Sequence, residues 1–191
     1  TAEALALLQE QHQERRADLV RAVRELASEA ATAGNLDRSR DLQRLATAVD
    51  QVTLDLDELP ELYRGTTEPA DALEKQLWQL QDEYAADLYL LSRRALRAGF
   101  PSFAFHLVRE VARHDPDHRR ARELLGYVRY GDRWTTPFAA SMMRRNFEWH
   151  DRFGWLPAAH IERYEAGQRL FNGRWMDAET EARHRADFDN A

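Results

Sequence analysis

Two groups of histidines and carboxylates stand close together along the chain: His114, Asp115, Asp117 and His118, and then Glu148, His150, Asp151 and His160. Imidazole nitrogens and carboxylate oxygens are the donors a zinc-like ion takes, but a helical zinc motif sets its ligands four residues apart on one face. His114 and His118 are four apart, but a helix start falls between them, and His160 has no partner of ligand type at that spacing. Asp115-Pro116 reads as a helix cap and first-turn proline, which leaves Asp117 and His118 in the first turn, directed differently. His150-Asp151 falls at a turn signal, ten residues before His160. The acids Asp50, Asp55, Asp57, Glu58 and Glu61 raise calcium, yet the EF-hand loop, with its glycine at position six and glutamate at twelve, is missing. Glu162 and Glu165 share a helix face, as carboxylates on solvated helices often do.

Covalent catalysis has no better footing. The chain has no cysteine and no Gly-x-Ser-x-Gly elbow. Ser28, Ser39, Ser92, Ser102 and Ser141 lie in helical runs or at helix starts. No glycine-rich phosphate loop occurs among the eight glycines. No catalytic, cofactor-binding or metal-ligating residue is assigned, no cofactor is expected, and the chain is not expected to be an enzyme by itself.

The bulk chemistry narrows the remaining classes. The 191 residues are 43% hydrophobic and 31% charged, with a formal net charge of −6. Residues 1–98 hold 12 basic and 19 acidic side chains, and residues 99–191 hold 15 and 14. Neither half concentrates the positive charge that nucleic-acid binding needs to displace counterions. No apolar run approaches the roughly 20 residues of a membrane span. The start at Thr1, without methionine, and the stop inside a helical pattern suggest a piece of a longer protein whose signal peptide has been removed.

Helical periodicity organises residues 1–126. Leu5, Leu8, His12, Leu19, Val23, Leu26 and Ala30 recur at spacings of three and four up to the break at Gly34-Asn35. Asp37 is the expected cap of a second helix, whose stripe is Leu42, Leu45, Val49 and Val52. Residues 2–52 are thus expected to form an antiparallel hairpin, and Leu54–Thr67 a connector. Leu73, Leu77, Leu80, Tyr84, Leu88, Leu91 and Ala95 make a long apolar seam over 71–98. Trp78 lies one position off it. Pro101 opens the next helix, with Ala104, Leu107, Val108 and Val111 inward, and a third helix with Ala121, Leu124 and Leu125 inward stops at Gly126.

From 127 onwards a tryptophan-centred unit recurs. Trp134, Trp155 and Trp175 lie 21 and 20 residues apart, each after a turn signal and before a short helical run. Gly131-Asp132 suits a type II′ hairpin turn and Asn172-Gly173 a type I′ turn. Between them, 147–150 and 153–155 flank a turn at His150-Asp151-Arg152. The rings of Trp134, Trp149, Trp155 and Trp175, with Phe138, Phe147, Phe153, Phe171, Tyr127 and Tyr164, are expected to close into a compact aromatic core.

The run Ser92–Gly99, the helix after it, and Asp115-Pro116 with Ala121–Gly126 resemble a tetratricopeptide-type helical pair entering its next repeat; Ala30–Asp37 resembles the turn of related bacterial repeat proteins. Leu125-Gly126-Tyr127, Arg133-Trp134, Trp149-His150-Asp151-Arg152-Phe153-Gly154-Trp155-Leu156-Pro157 and Gly173-Arg174-Trp175 resemble a glycine- and tryptophan-rich module of larger envelope-associated bacterial proteins. Such modules follow helical repeats and sometimes precede a zinc-peptidase-like domain. The motif His-Glu-x-x-His is absent from this chain, so no peptidase activity carries over. The expected fold is mainly α: tetratricopeptide-like helical hairpins over 1–126, then a small α+β module of tryptophan-containing hairpins and helices over 127–191. The resemblance implies a non-catalytic scaffold that binds a protein partner in its helical groove, in the cell envelope or periplasm or secreted. A glycan-binding accessory module, or the non-catalytic part of an envelope hydrolase, are the alternatives. Trp78, Tyr84, Trp149 and Trp155 are the residues expected at the partner surface.

Overall fold

The computed structural model describes residues 1–51, 64 and 68–189. The connector expected at Leu54–Thr67 and most of its acids therefore lie outside the described residues, apart from Arg64. The chain divides into two compact units, Thr1–Tyr127 and Val128–Ala191.

The first unit is all helix: α1 (Ala2–Thr32), α2 (Leu36–Asp50), α3 (Ala72–Arg97), α4 (Pro101–His114) and α5 (Arg119–Leu124). α1 packs on α2, α3 on α4, and α1 on α3. The tight turns between partners follow from glycine. Gly34 and Gly99 have φ of 83° and 87°, the left-handed conformation that a Cβ disfavours. At each, the following amide donates back to the helix, Asn35 N–H to Ala30 C=O and Phe100 N–H to Ala95 C=O, both at 2.9 Å. This is the Schellman closure, which satisfies carbonyls that a helix end otherwise leaves orphaned. Start signals are divided differently from expectation. Asn35, not Asp37, caps α2 by accepting from Arg38 N–H. His118, not Asp115, caps α5 by accepting from Ala121 N–H at 3.2 Å.

The apolar stripes meet in one core, with Val23 of α1, Leu42 of α2, Leu88 of α3, and Leu107 and Val111 of α4 almost fully enclosed. The α3 seam is consumed in this packing: Leu77, Tyr84, Leu88, Leu91 and Ala95 are all buried. Leu124, expected to point inward, is exposed, whereas Ala121 is buried.

The second unit repeats one design three times. β1 (Val128–Tyr130) pairs with β2 (Arg133–Thr135), β3 (Phe147–His150) with β4 (Gly154–Pro157), and β5 (Gln168–Phe171) with β6 (Arg174–Asp177), all antiparallel. Each hairpin leads into a helix: α6 (Pro137–Arg144), α7 (Ile161–Glu165) after a 3₁₀ turn, and α8 (Ala178–Asp189). The hairpins do not join, so each sheet has two strands. Gly131 alone takes positive φ in the first turn, whereas Asn172 and Gly173 both do in the third, as types II′ and I′ require. The middle turn is 151–153, one residue later than expected, with Phe153 N–H donating to His150 C=O at 3.1 Å and Gly154 at φ 72°.

The compact aromatic core does not form. Among the described residues of this unit only Ala140 and Leu156 are buried. A serial repeat has no enclosed centre, so each ring takes cover from the next element along the chain. Phe138 of α6 meets Trp155 edge-on at 6.2 Å, and His160 and Tyr164 meet Trp175 at 4.9 and 5.8 Å.

Candidate functional site

The most heavily polar spot in the interior is in the helical unit. Helical spacing sets His106, Glu110 and His114 on one face of α4, and that face is the buried one. α1 brings His12 against it and α3 brings Tyr84. His12 Nε2 lies 2.7 Å from Glu110 Oε2, and the Tyr84 hydroxyl donates to Glu110 Oε1 at 2.6 Å. His106 Nε2 is 3.8 Å from the same Oε2. The His114 ring stands edge-on to Tyr84 at 4.9 Å, and His12 edge-on to His106 at 5.9 Å.

The charge states follow from these contacts. Burial opposes ionisation of Glu110, but the hydrogen bond and charge of His12, and then the Tyr84 hydrogen bond, outweigh it and hold the carboxyl at about 2. Glu110 is thus a carboxylate, and His12 Nε2 carries the proton it donates. Burial pulls both His106 and His114 down to about 4, against the attraction of Glu110. Both rings are neutral at pH 7. In the sequence His12 is one member of an apolar stripe, and nothing beside it marks the cluster. The legible signal was His106 and Glu110 at i and i+4 beside an inward apolar run; the partner 98 residues away was not legible.

The residues expected at a partner surface separate. Tyr84 is 5% exposed, with its hydroxyl engaged by Glu110, and is an interior residue. Trp78 is partly buried against the helical core, with the Arg64 guanidinium 5.1 Å over its ring. Arg64 also donates to Trp78 C=O, Gln81 and Asp82. Trp149 and Trp155 remain at a surface. They face one another across the β3–β4 hairpin at 5.9 Å, and Trp149 is 60% exposed.

With Phe138, 63% exposed, these two rings form a continuous strip. Beside it runs a cleft of about 660 Å³, bounded by Tyr130 and Arg133 of the first hairpin, Met143 of α6, and 146–149 along β3. Successive strand side chains point to opposite faces, so a cleft lined by consecutive residues follows the edge of β3. The ladder defines that edge. Ala158 N–H donates to Asn146 C=O at 3.0 Å, which makes Phe147–Pro157 and Trp149–Trp155 the non-hydrogen-bonded pairs. The backbone N–H and C=O of Phe147 and Trp149 therefore point away from β4. Pro157, with no N–H to give, sits where none is used.

The two histidine groups singled out in the sequence are not brought together as ligands. Asp115 accepts from Asp117 N–H, and His118 caps α5. His150 accepts from Arg152 N–H, while His160 packs on Trp175. Among the described residues no helix is long and apolar enough to cross a membrane. Compared with known proteins, the chain matches no family model, no curated protein and no solved structure.

Proposed function

We propose that the chain is a non-catalytic protein-interaction scaffold, with helical pairs of tetratricopeptide character carrying a hairpin module that holds the partner. The observation behind this reading is the outer edge of β3. There, outward-pointing backbone groups of Phe147 and Trp149 lie beside a strip in which partly buried Trp155 joins exposed Phe138 and Trp149, and beside a cleft of about 660 Å³. An edge of that kind accepts an extended peptide as a further strand, with main-chain hydrogen bonds giving affinity and alternate side chains giving specificity. The partner is thus an extended segment with an apolar side chain at every second position. Arg133 and Glu148 at the cleft select its charged residues. The α3 seam is the weaker place for a partner, because its apolar residues are already covered.

Panning a random-peptide display library against the protein tests this. Enriched peptides should lose binding to Trp149→Ala. In hydrogen exchange they should protect the amides of Phe147 and Trp149, leaving Glu148, already paired across to Leu156, unchanged. Protection confined to the 70–125 helices would move the site to the helical groove. A tryptophan fluorescence shift with cell-wall oligosaccharides, and no enriched peptide, would replace the peptide by a glycan.

A further inference from the structure

We infer that His12, His106 and Glu110 form a binding site for a single divalent transition-metal ion of the zinc class, with one coordination position left for an exogenous ligand. One ligand atom from each of these side chains lies within 4.8 Å of the others. Ligands about 2.0–2.2 Å from a tetrahedral zinc stand roughly 3.3–3.6 Å apart. His106 Nε2 and Glu110 Oε2, at 3.8 Å, are close to that separation. His12 Nε2 and Glu110 Oε2, at 2.7 Å, need to part by less than an ångström.

A second observation is independent of the clustering. His106 is 7% exposed, and its Nε2 has no hydrogen-bond partner. An enclosed imidazole nitrogen without a partner forgoes the compensation that buried polar groups ordinarily find. A metal ion would supply it, at the one atom of the ring aimed at Glu110. The His106 ring is neutral and Glu110 ionised, which are the forms that ligate, and the metal displaces the proton on His12 Nε2, which passes to Nδ1 or to solvent.

The surroundings specify the ion. Two imidazoles and one carboxylate, with no thiolate in the chain, suit zinc or cobalt(II) rather than calcium or magnesium, which take oxygen shells. Tyr84 holds Glu110 Oε1, orienting the carboxylate so that Oε2 faces the two rings. An apolar cleft of about 370 Å³ between the start of α1 and the α3–α4 turn, bounded by Leu5, Phe100, Pro101 and Phe103, has His106 in its wall. Three protein ligands leave a fourth position open, and the apolar lining suits a small ligand with an apolar body and a donor atom at its tip.

The test is titration of the chelator-treated full chain with cobalt(II), followed by displacement with zinc. One equivalent should bring up the visible d–d bands of a four- or five-coordinate cobalt site, and zinc should abolish them. His106→Leu should remove the bands while keeping the circular dichroism of the parent, because His106 Nε2 makes no hydrogen bond to lose. Tyr84→Phe, which leaves all three ligands, should weaken zinc binding about 10–100-fold. If His106→Leu does not fold, the Tyr84→Phe affinity decides. Absence of cobalt bands in the parent, or bands that persist in His106→Leu, would overturn the site, as would unchanged affinity in Tyr84→Phe.

Discussion

The Tyr84 hydroxyl on α3 and the Glu110 carboxylate on α4 are joined by a 2.6 Å hydrogen bond, and the other oxygen of the same carboxylate is held by His12 of α1. One buried anion therefore fastens three helices. An ionised carboxylate in an apolar interior is tolerated only when its oxygens are satisfied. The chain meets that condition with residues from three separate segments.

Removing one of these bonds should be felt in stability. Tyr84→Phe keeps the ring and deletes only the donor, so the cost is that of a hydrogen bond to a charged group, about 1.5–3 kcal/mol. Urea denaturation at pH 7 reads it directly. An unmoved midpoint would mean that water replaces the hydroxyl without loss.

Acid should weaken the helical unit well above the usual carboxylate range. His106 and His114 are held at about 4, by burial first, with Glu110 pulling upward and Arg113 pressing down on both; Arg109 and His12 add to His106, and Arg64 to His114. Unfolding returns both rings to about 6.5, so between those values the unfolded chain binds more protons. Their contribution is whole above pH 6.5 and is lost as pH falls through 4, at about 1.4 kcal/mol per pH unit for each ring. Glu110 acts lower, with its contribution present above about 4.5 and lost towards 2. Urea midpoints of the chelator-treated chain measured from pH 7 to 4 should fall, and His106→Leu should halve the slope. A flat profile over that range would refute the burial of both rings as neutral species.

The two facing tryptophans of the second hairpin should behave differently. Trp155 packs edge-on to both Phe138 and Trp149 and is partly buried, while Trp149 is 60% exposed. Trp155→Ala should cost about 3 kcal/mol, towards the value for a core tryptophan. Trp149→Ala should cost no more than about 1.5 kcal/mol, the worth of its ring pair. Thermal melts of the near-ultraviolet signal compare them. Equal losses would argue against Trp149 as a surface residue.

Much of the scaffold was legible because its determinants are local. The α3 seam is buried at Leu77, Tyr84, Leu88, Leu91 and Ala95 as its period requires. The turns at Gly131-Asp132 and Asn172-Gly173 lie where their dipeptides set them. What periodicity supplies is a face, not its counterpart. It put His12 inward but held nothing about Glu110, because helix pairing across 98 residues leaves no local trace. The aromatic core failed for another reason. Burial was assigned by residue type, and a series of two-stranded hairpins offers rings cover on one side only. Helix caps were misassigned by two or three residues because Asn35, Asp37, Asp115 and His118 are all capable acceptors, and chain geometry chooses among them.

In the second unit every strand pairs with the strand next to it in sequence, and left-handed residues precede each hairpin, Gly126 at the end of the first unit and then Asn146 and Gly167. Such a design has no strand whose mate lies further along the chain. A whole segment of about twenty residues can be deleted or copied at these joints without separating any strand from its mate. The pairing pattern by itself sets no limit on the number of links, and each added link would bring another strand edge to offer.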